Sequence, residues 1–371
     1  MVLATACVLP LAAVPQPTAT VTAGALRGVW TSGGAVAAFR DVPYAYAARF
    51  EPPQPPKPWS GTRDASQFGP GCKQGHSRTN PDVPKSQIED CTRLNIFTPA
   101  KMLQSSQALL PVMVWWHGGA FKEGSSFGPF DLYDGSVVAH EQNVIVVSCN
   151  YRVDVFGALV HPGGIGGHYG FLDQRACLQW VRSQIHLFGG DAHNVTAWGQ
   201  SAGAQSILLH MASNGSTGLF HRAVMESAPD LSLFNAKDAS RLGREVAKKL
   251  GCHNATDAAR VACLRSADVD ALESAASAAA DSLFTDLRTI DLHLPTASIL
   301  PWKPHVDGVE LRAQPFELLL AGQAPGAVPS ILGFNHDEMY ALLDSLPPWV
   351  RGLEVQAMLT LIFGVSTARR A

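Results

Sequence analysis

The sequence predicts an α/β fold, a mostly parallel central sheet with helices on both faces. Short apolar runs recur between polar turns, and two of them, Val112–Trp116 and Val144–Cys149, are continuous and rich in β-branched residues. Such runs are typical of strands buried on both faces. Helix-compatible stretches lie between the runs, and that alternation is the pattern of a parallel sheet wrapped on both sides. Composition agrees, since 46% of the 371 residues are hydrophobic and 16% charged, enough for a sizeable core.

In chain order, Met1–Val14 is apolar and resembles the hydrophobic stretch of a signal peptide, with Ala19 as a small residue for cleavage. Residues 1–19 are read as a signal peptide or disordered N-terminus, and 20–371 as the domain. Glu51–Trp59 is proline-dense, so it is an extended surface segment and not a strand centre. Val195–Trp198, Ala223–Met225 and Ile331–Phe334 are further strand candidates. Gly170–Ile185, Ala202–Ala212 and the Ala-rich Ala267–Ser282 read as helices.

Several function classes are excluded early. Lys plus Arg is 28 against 31 for Asp plus Glu, and no cationic run exceeds a pair, so no nucleic-acid partner is expected. No apolar run reaches the length of a membrane span. The 7 cysteines include no Cys-x-x-Cys pair. His140-Glu141 starts like a zinc-protease helix, but Val144 stands where the second histidine would be. No metal or cofactor is therefore expected. Asn194-Val-Thr196, Asn214-Gly-Ser216 and Asn254-Ala-Thr256 match the glycosylation pattern, about as many matches as chance supplies.

Gly199-Gln200-Ser201-Ala202-Gly203 fits G-x-S-x-G. The pentapeptide alone is a weak signal. Here an apolar strand precedes it and a helix-compatible run follows, which is the strand–turn–helix elbow that presents a serine nucleophile above a sheet. His117-Gly118-Gly119-Ala120-Phe121 directly follows the Val112–Trp116 strand. Acyl transfer puts negative charge on the former carbonyl oxygen, and backbone N–H groups aimed at it stabilise that charge by roughly 3–4 kcal/mol each. Gly118 and Gly119 are assigned as donors, with the N–H of Ala202 after the nucleophile.

These residues resemble the type-B carboxylesterases, the cholinesterase-like branch of the α/β-hydrolases. The likeness runs nearly end to end. It includes Phe39-Arg-Asp-Val-Pro-Tyr44-Ala, Arg49-Phe-Glu-Pro-Pro53, Glu89-Asp-Cys91 with Leu94–Pro99, Asn150-Tyr-Arg152, Tyr169–Arg175 and Phe188–Asp191. The resemblance implies disulfides Cys72–Cys91 and Cys252–Cys263, which suit an oxidising compartment, and leaves Cys149 and Cys177 as free buried thiols. It implies structural ion pairs Arg49–Glu89 and Arg152–Asp173. It places the acid of the triad at Glu338, within Gly333-Phe-Asn-His-Asp-Glu338, with Asp337 as the adjacent alternative.

The expected order in the chain is serine, acid, histidine. All 13 histidines precede Glu338. The chain is thus expected to be an incomplete α/β-hydrolase without its last strand and helix, although Gln356–Phe363 is helical in period and Gly364 could cap it. His117 and His305 are read as packed or surface residues, not substitutes. The expected activity is hydrolysis of small-molecule carboxylic esters in the secretory pathway. Uncharged esters are favoured because Lys73–Asp90 holds no Trp, Tyr or Phe for a cation and Gln200 removes a charge beside the nucleophile. The alternatives are an esterase-like interaction protein and a truncated pseudoenzyme.

Overall fold

The computed structural model describes residues 14–75, 83–103, 108–228, 232–253, 256–285, 301–336 and 338. Eight strands form the main sheet: Val29–Thr31 (β1), Val36–Pro43 (β2), Arg93–Pro99 (β3), Leu110–Trp116 (β4), Ile145–Cys149 (β5), Gly190–Gln200 (β6), Arg222–Glu226 (β7) and Ser330–Gly333 (β8). Their spatial order is β8-β7-β6-β4-β5-β3-β2-β1. From β8 to β5 every neighbouring pair is parallel. From β5 to β1 every pair is antiparallel. The mostly parallel sheet is present, and its antiparallel half is the addition. In β2 the apolar alternation is broken by Arg40 and Asp41, where the pairing with β3 slips, so no clean two-residue period marks this strand in the sequence.

Helices cover the sheet on both faces, as expected of buried parallel strands. On one face Ser136–Gln142 (α1) sets Ala139 against Val36, Ala38, Phe97 and Val146. On the other, Tyr169–Gln184 (α3) and Ala202–Ala212 (α4) bury Leu178, Val181, Ile207 and Leu209 against Val112, Val114, Val147 and Ala197. A second core joins the short Asp154–Ala158 (α2) to three later helices, Ala236–Lys249 (α5), Asp257–Ser266 (α6) and Val269–Thr285 (α7), around Phe156, Leu159, Val246, Leu264 and Leu272. The α5 helix buries Ala239, Leu242, Gly243, Val246 and Ala247, a one-sided stripe at helical spacing.

Both disulfides implied by the resemblance, Cys72–Cys91 and Cys252–Cys263, are formed. The expectation for Cys149 and Cys177 is corrected, because the structure joins them. Cys149 ends β5 and Cys177 sits on the sheet-facing side of α3; both are fully buried and their Cα atoms are 6.8 Å apart. Cys7 lies outside the described residues. Regular structure begins inside the 1–19 stretch, since Thr18–Val21 pairs with Gly24–Arg27. Most of the leader-like segment, Asn254, Asp337 and the Gln356–Phe363 region also lie outside the described residues.

The two implied ion pairs are present. Arg49 grips Glu89 through two contacts of 2.6 Å. Arg152 holds Asp173 at 2.7 and 2.8 Å, both side chains nearly inaccessible, and its remaining nitrogen reaches the carbonyls of Ala48 and Glu51 at 3.1 and 2.8 Å. That buried cation ties the start of the proline-dense segment to Asp173 on α3.

Candidate active site

The site lies where the parallel strands end. Ser201 follows β6 and precedes α4, with φ 53° and ψ −119°. Few non-glycine residues tolerate that conformation, and the surroundings must hold it in place. The hold is visible on both sides. Ser201 donates its N–H to the Glu226 carbonyl at 2.9 Å, and its own carbonyl accepts from Gln205 N–H at 2.9 Å. The turn is tight enough that Gly203 packs against the carbonyls of Trp116 and His117, where any Cβ would collide with the Trp116 oxygen. Only glycine permits this approach of helix to strand.

The predicted donor loop is next to the serine. A Cβ built on Gly118 would lie 3.2 Å from Ser201 Cβ and 2.6 Å from Gln200 Oε1. Gly119, Ala120 and Phe121 follow with φ of 100°, 61° and 58°. This left-handed run bends the loop into a turn that the Gly119 carbonyl closes by accepting from the N–H groups of Lys122 and Glu123 at 2.9 and 3.0 Å. The N–H groups of Gly118, Gly119, Ala120 and Ala202 have no acceptor among the described residues. Ala120 was not singled out by sequence reasoning; its sign is positive φ, which nothing in an alanine announces. The loop is held from behind. Gln74 donates to Gly124 O at 2.9 Å and accepts from Gly124 N–H at 2.8 Å, clamping the first disulfide loop to it.

Three buried histidines make contacts of their own. His117 stacks on Tyr151 with ring centroids 4.3 Å apart, and its Nδ1 sits 2.8 Å from the Gly118 carbonyl. A carbonyl only accepts, so Nδ1 carries the proton. Burial lowers the His117 pKa to about 4, which keeps the ring neutral. His210, on α4, lies 2.7 Å from Ser216 Oγ and 3.2 Å from Gln174 Oε1, and burial drives its pKa well below the ordinary value. His305 stacks on His168 at 4.2 Å. No described histidine bonds to Ser201.

Glu338 comes just after β8. Its Oε2 accepts from the Asn335 N–H at 2.6 Å, and the residue is exposed. Gln200, Glu226 and Gly333 are partners across β6, β7 and β8. Ser201 and Glu338 therefore leave the sheet from the same end. Glu226 is a second residue that sequence reasoning missed: its carbonyl holds Ser201, and its carboxylate accepts from Trp198 Nε1 at 2.6 Å. Among the described residues no cluster of three or more His, Cys, Asp or Glu side chains could hold a metal ion.

Comparison with known proteins gives a consistent answer. The pattern of the Carboxylesterase family matches residues 15–357. The chain is 36% identical over 328 residues to carboxylesterase 1E of Mus musculus, covering 84% of this chain and 56% of that one. It is 39% identical over 264 residues to the acetylcholinesterase of Bungarus fasciatus, covering 66% and 42%. In structure it is similar to a PNB esterase, with a TM-score of 0.77 at 32% identity over 96% of this chain and 71% of the other. The chain thus spans about half the length of these curated relatives.

Proposed function

The chain belongs to the carboxylesterase family, an α/β-hydrolase family of carboxylic ester hydrolases, and on that premise we propose that Ser201 is the nucleophile that takes the acyl group of an ester. The observation that carries the proposal is the strained Ser201 backbone held against Gly118. Ser201 Oγ attacks the ester carbonyl, and the N–H groups of Gly118, Gly119 and Ala202 receive the oxygen as it gains charge. The alcohol leaves, and water then releases the acid. Glu338 would orient the imidazole that moves the proton between these steps.

No histidine follows Glu338 in the 371 residues, and His117 and His210 have other partners. We therefore propose that this polypeptide alone is nearly inactive. In a serine hydrolase, loss of the histidine can cost roughly a millionfold in kcat. Uncharged esters are the proposed substrates, from Gln200 beside the nucleophile. The three disulfides support passage through an oxidising secretory compartment.

Chemical rescue tests this reading. The rate on a p-nitrophenyl ester is measured with and without added imidazole, in the chain and in Ser201→Ala. The expected result is negligible turnover without imidazole and a rescued component that needs Ser201. Robust unassisted turnover that vanishes in Ser201→Ala would refute the need for a further histidine. Rescue that is equal in both proteins would refute Ser201 as nucleophile.

A further inference from the structure

The tripeptide Asn214-Gly215-Ser216 forms the turn that follows α4. The fold accounts for two of its residues. Gly215 lies under the Arg175 guanidinium, and a Cβ there would fall 2.7 Å from its central carbon. Ser216 is buried; its hydroxyl accepts from Arg175 Nε at 3.2 Å and lies 2.7 Å from His210 Nδ1. Asn214 has no such task. It is exposed, and its side chain forms no hydrogen bond with a described residue. Asn194, in the first of the matching tripeptides, is different: it is half-buried within β6 and its Oδ1 accepts from Arg222 at 2.6 Å.

We propose that Asn214 is the acceptor of an N-linked glycan. The proposal rests on the reading that the chain enters the secretory pathway. Asn214 Nδ2 would form a bond to the anomeric carbon of an oligosaccharide carried on a polyprenyl diphosphate. The carbon–oxygen bond to the diphosphate breaks, polyprenyl diphosphate leaves with the electron pair, and Nδ2 gives up one proton. The Ser216 hydroxyl serves twice. It completes the acceptor pattern while the chain is still extended, and it then folds inward to meet Arg175 and His210. The glycan occupies the end of α4 opposite Ser201. Eleven helical residues separate the two ends, about 16 Å of axis, so the ester site stays open.

The full 371-residue chain, carrying an added cleavable signal sequence, is expressed in a eukaryotic secretory host. Secretion of the product shows entry, independently of glycosylation. Peptide N-glycosidase treatment followed by peptide mass analysis is expected to find Asn214 converted to Asp. Asn214→Gln and Ser216→Ala should each remove one glycan step on a gel, and Ser216→Thr should keep it. Cell-free translation into microsomes gives the same readout if a variant does not fold. Translocated protein with an unmodified Asn214 overturns the proposal. Failure of the chain's own N-terminus to enter microsomes would overturn the secretion reading and, with it, occupancy in the protein as expressed without the added signal.

Discussion

Replacing Asp154 by Asn should stabilise the protein at alkaline pH and not at acidic pH. Asp154 opens α2 with φ 55°, donates its N–H to Phe121 O at 2.7 Å and accepts from Val155 N–H through Oδ1 at 2.8 Å. Its residue is only 5% exposed, and burial raises its pKa from 3.8 to about 6, against the pull of Lys122. The raised value means that the folded protein keeps this proton when the unfolded chain has lost it. Stability from this group is greatest below the unfolded pKa and falls as pH rises from about 4 through 6. A shift of roughly two units corresponds to about 3 kcal/mol once the group is ionised. Asn keeps the acceptor for Val155, tolerates left-handed φ and does not titrate. Urea unfolding of both proteins at pH 4 and pH 8 measures the difference. The variant is expected to gain about 2–3 kcal/mol at pH 8, with the gain gone at pH 4. Glu273, raised to about 7 in part by Asp154, should shift down in the variant and add to the gain. A difference that does not change with pH would refute buried ionisation as the cost at this position.

Three further outcomes are expected. Asp173→Ala strands the buried Arg152 cation and should lower stability by about 3–5 kcal/mol in urea unfolding. Gly203→Ala should abolish phosphonylation of Ser201 by a fluorophosphonate, measured in imidazole, because the new Cβ meets the Trp116 carbonyl. Gln200→Glu should raise the rate of a cationic phosphonate relative to a neutral one by about tenfold, the factor set by ~1.4 kcal/mol of charge attraction, read as labelling of Ser201.

Much of the sheet and of the site was legible because it depends on local patterns. Val112–Trp116 announces β4 through β-branched density, and the glycines around Ser201 and at 118–119 announce close backbone approach. The antiparallel strands β1 to β3 were not read as strands, because Arg40 and Asp41 interrupt the apolar period in β2 and polar residues punctuate β3. The β6 strand begins at Gly190, before Val195; its register with β4 shifts between those two residues, where Asp191, His193 and Asn194 break any apolar run. The α5 stripe was present at helical spacing but diluted by Lys, Arg and Glu. Ala120 and Asp154 take left-handed φ without being glycine, so only the tertiary context reveals them. The Cys149–Cys177 link escaped for a related reason: it depends on which face of α3 meets the end of β5.

The Arg152 anchor also bears on the order in which the chain can be assembled during synthesis. Its guanidinium joins carbonyls near residue 50 to a carboxylate at residue 173, so this tie cannot form until both have left the ribosome. At ordinary elongation rates that delay is roughly 10 s. Throughout it, Phe50, which ends up buried in the second core, stays exposed to water. Closure of the Arg152 tie and burial of Phe50 are therefore late events in the synthesis of this domain.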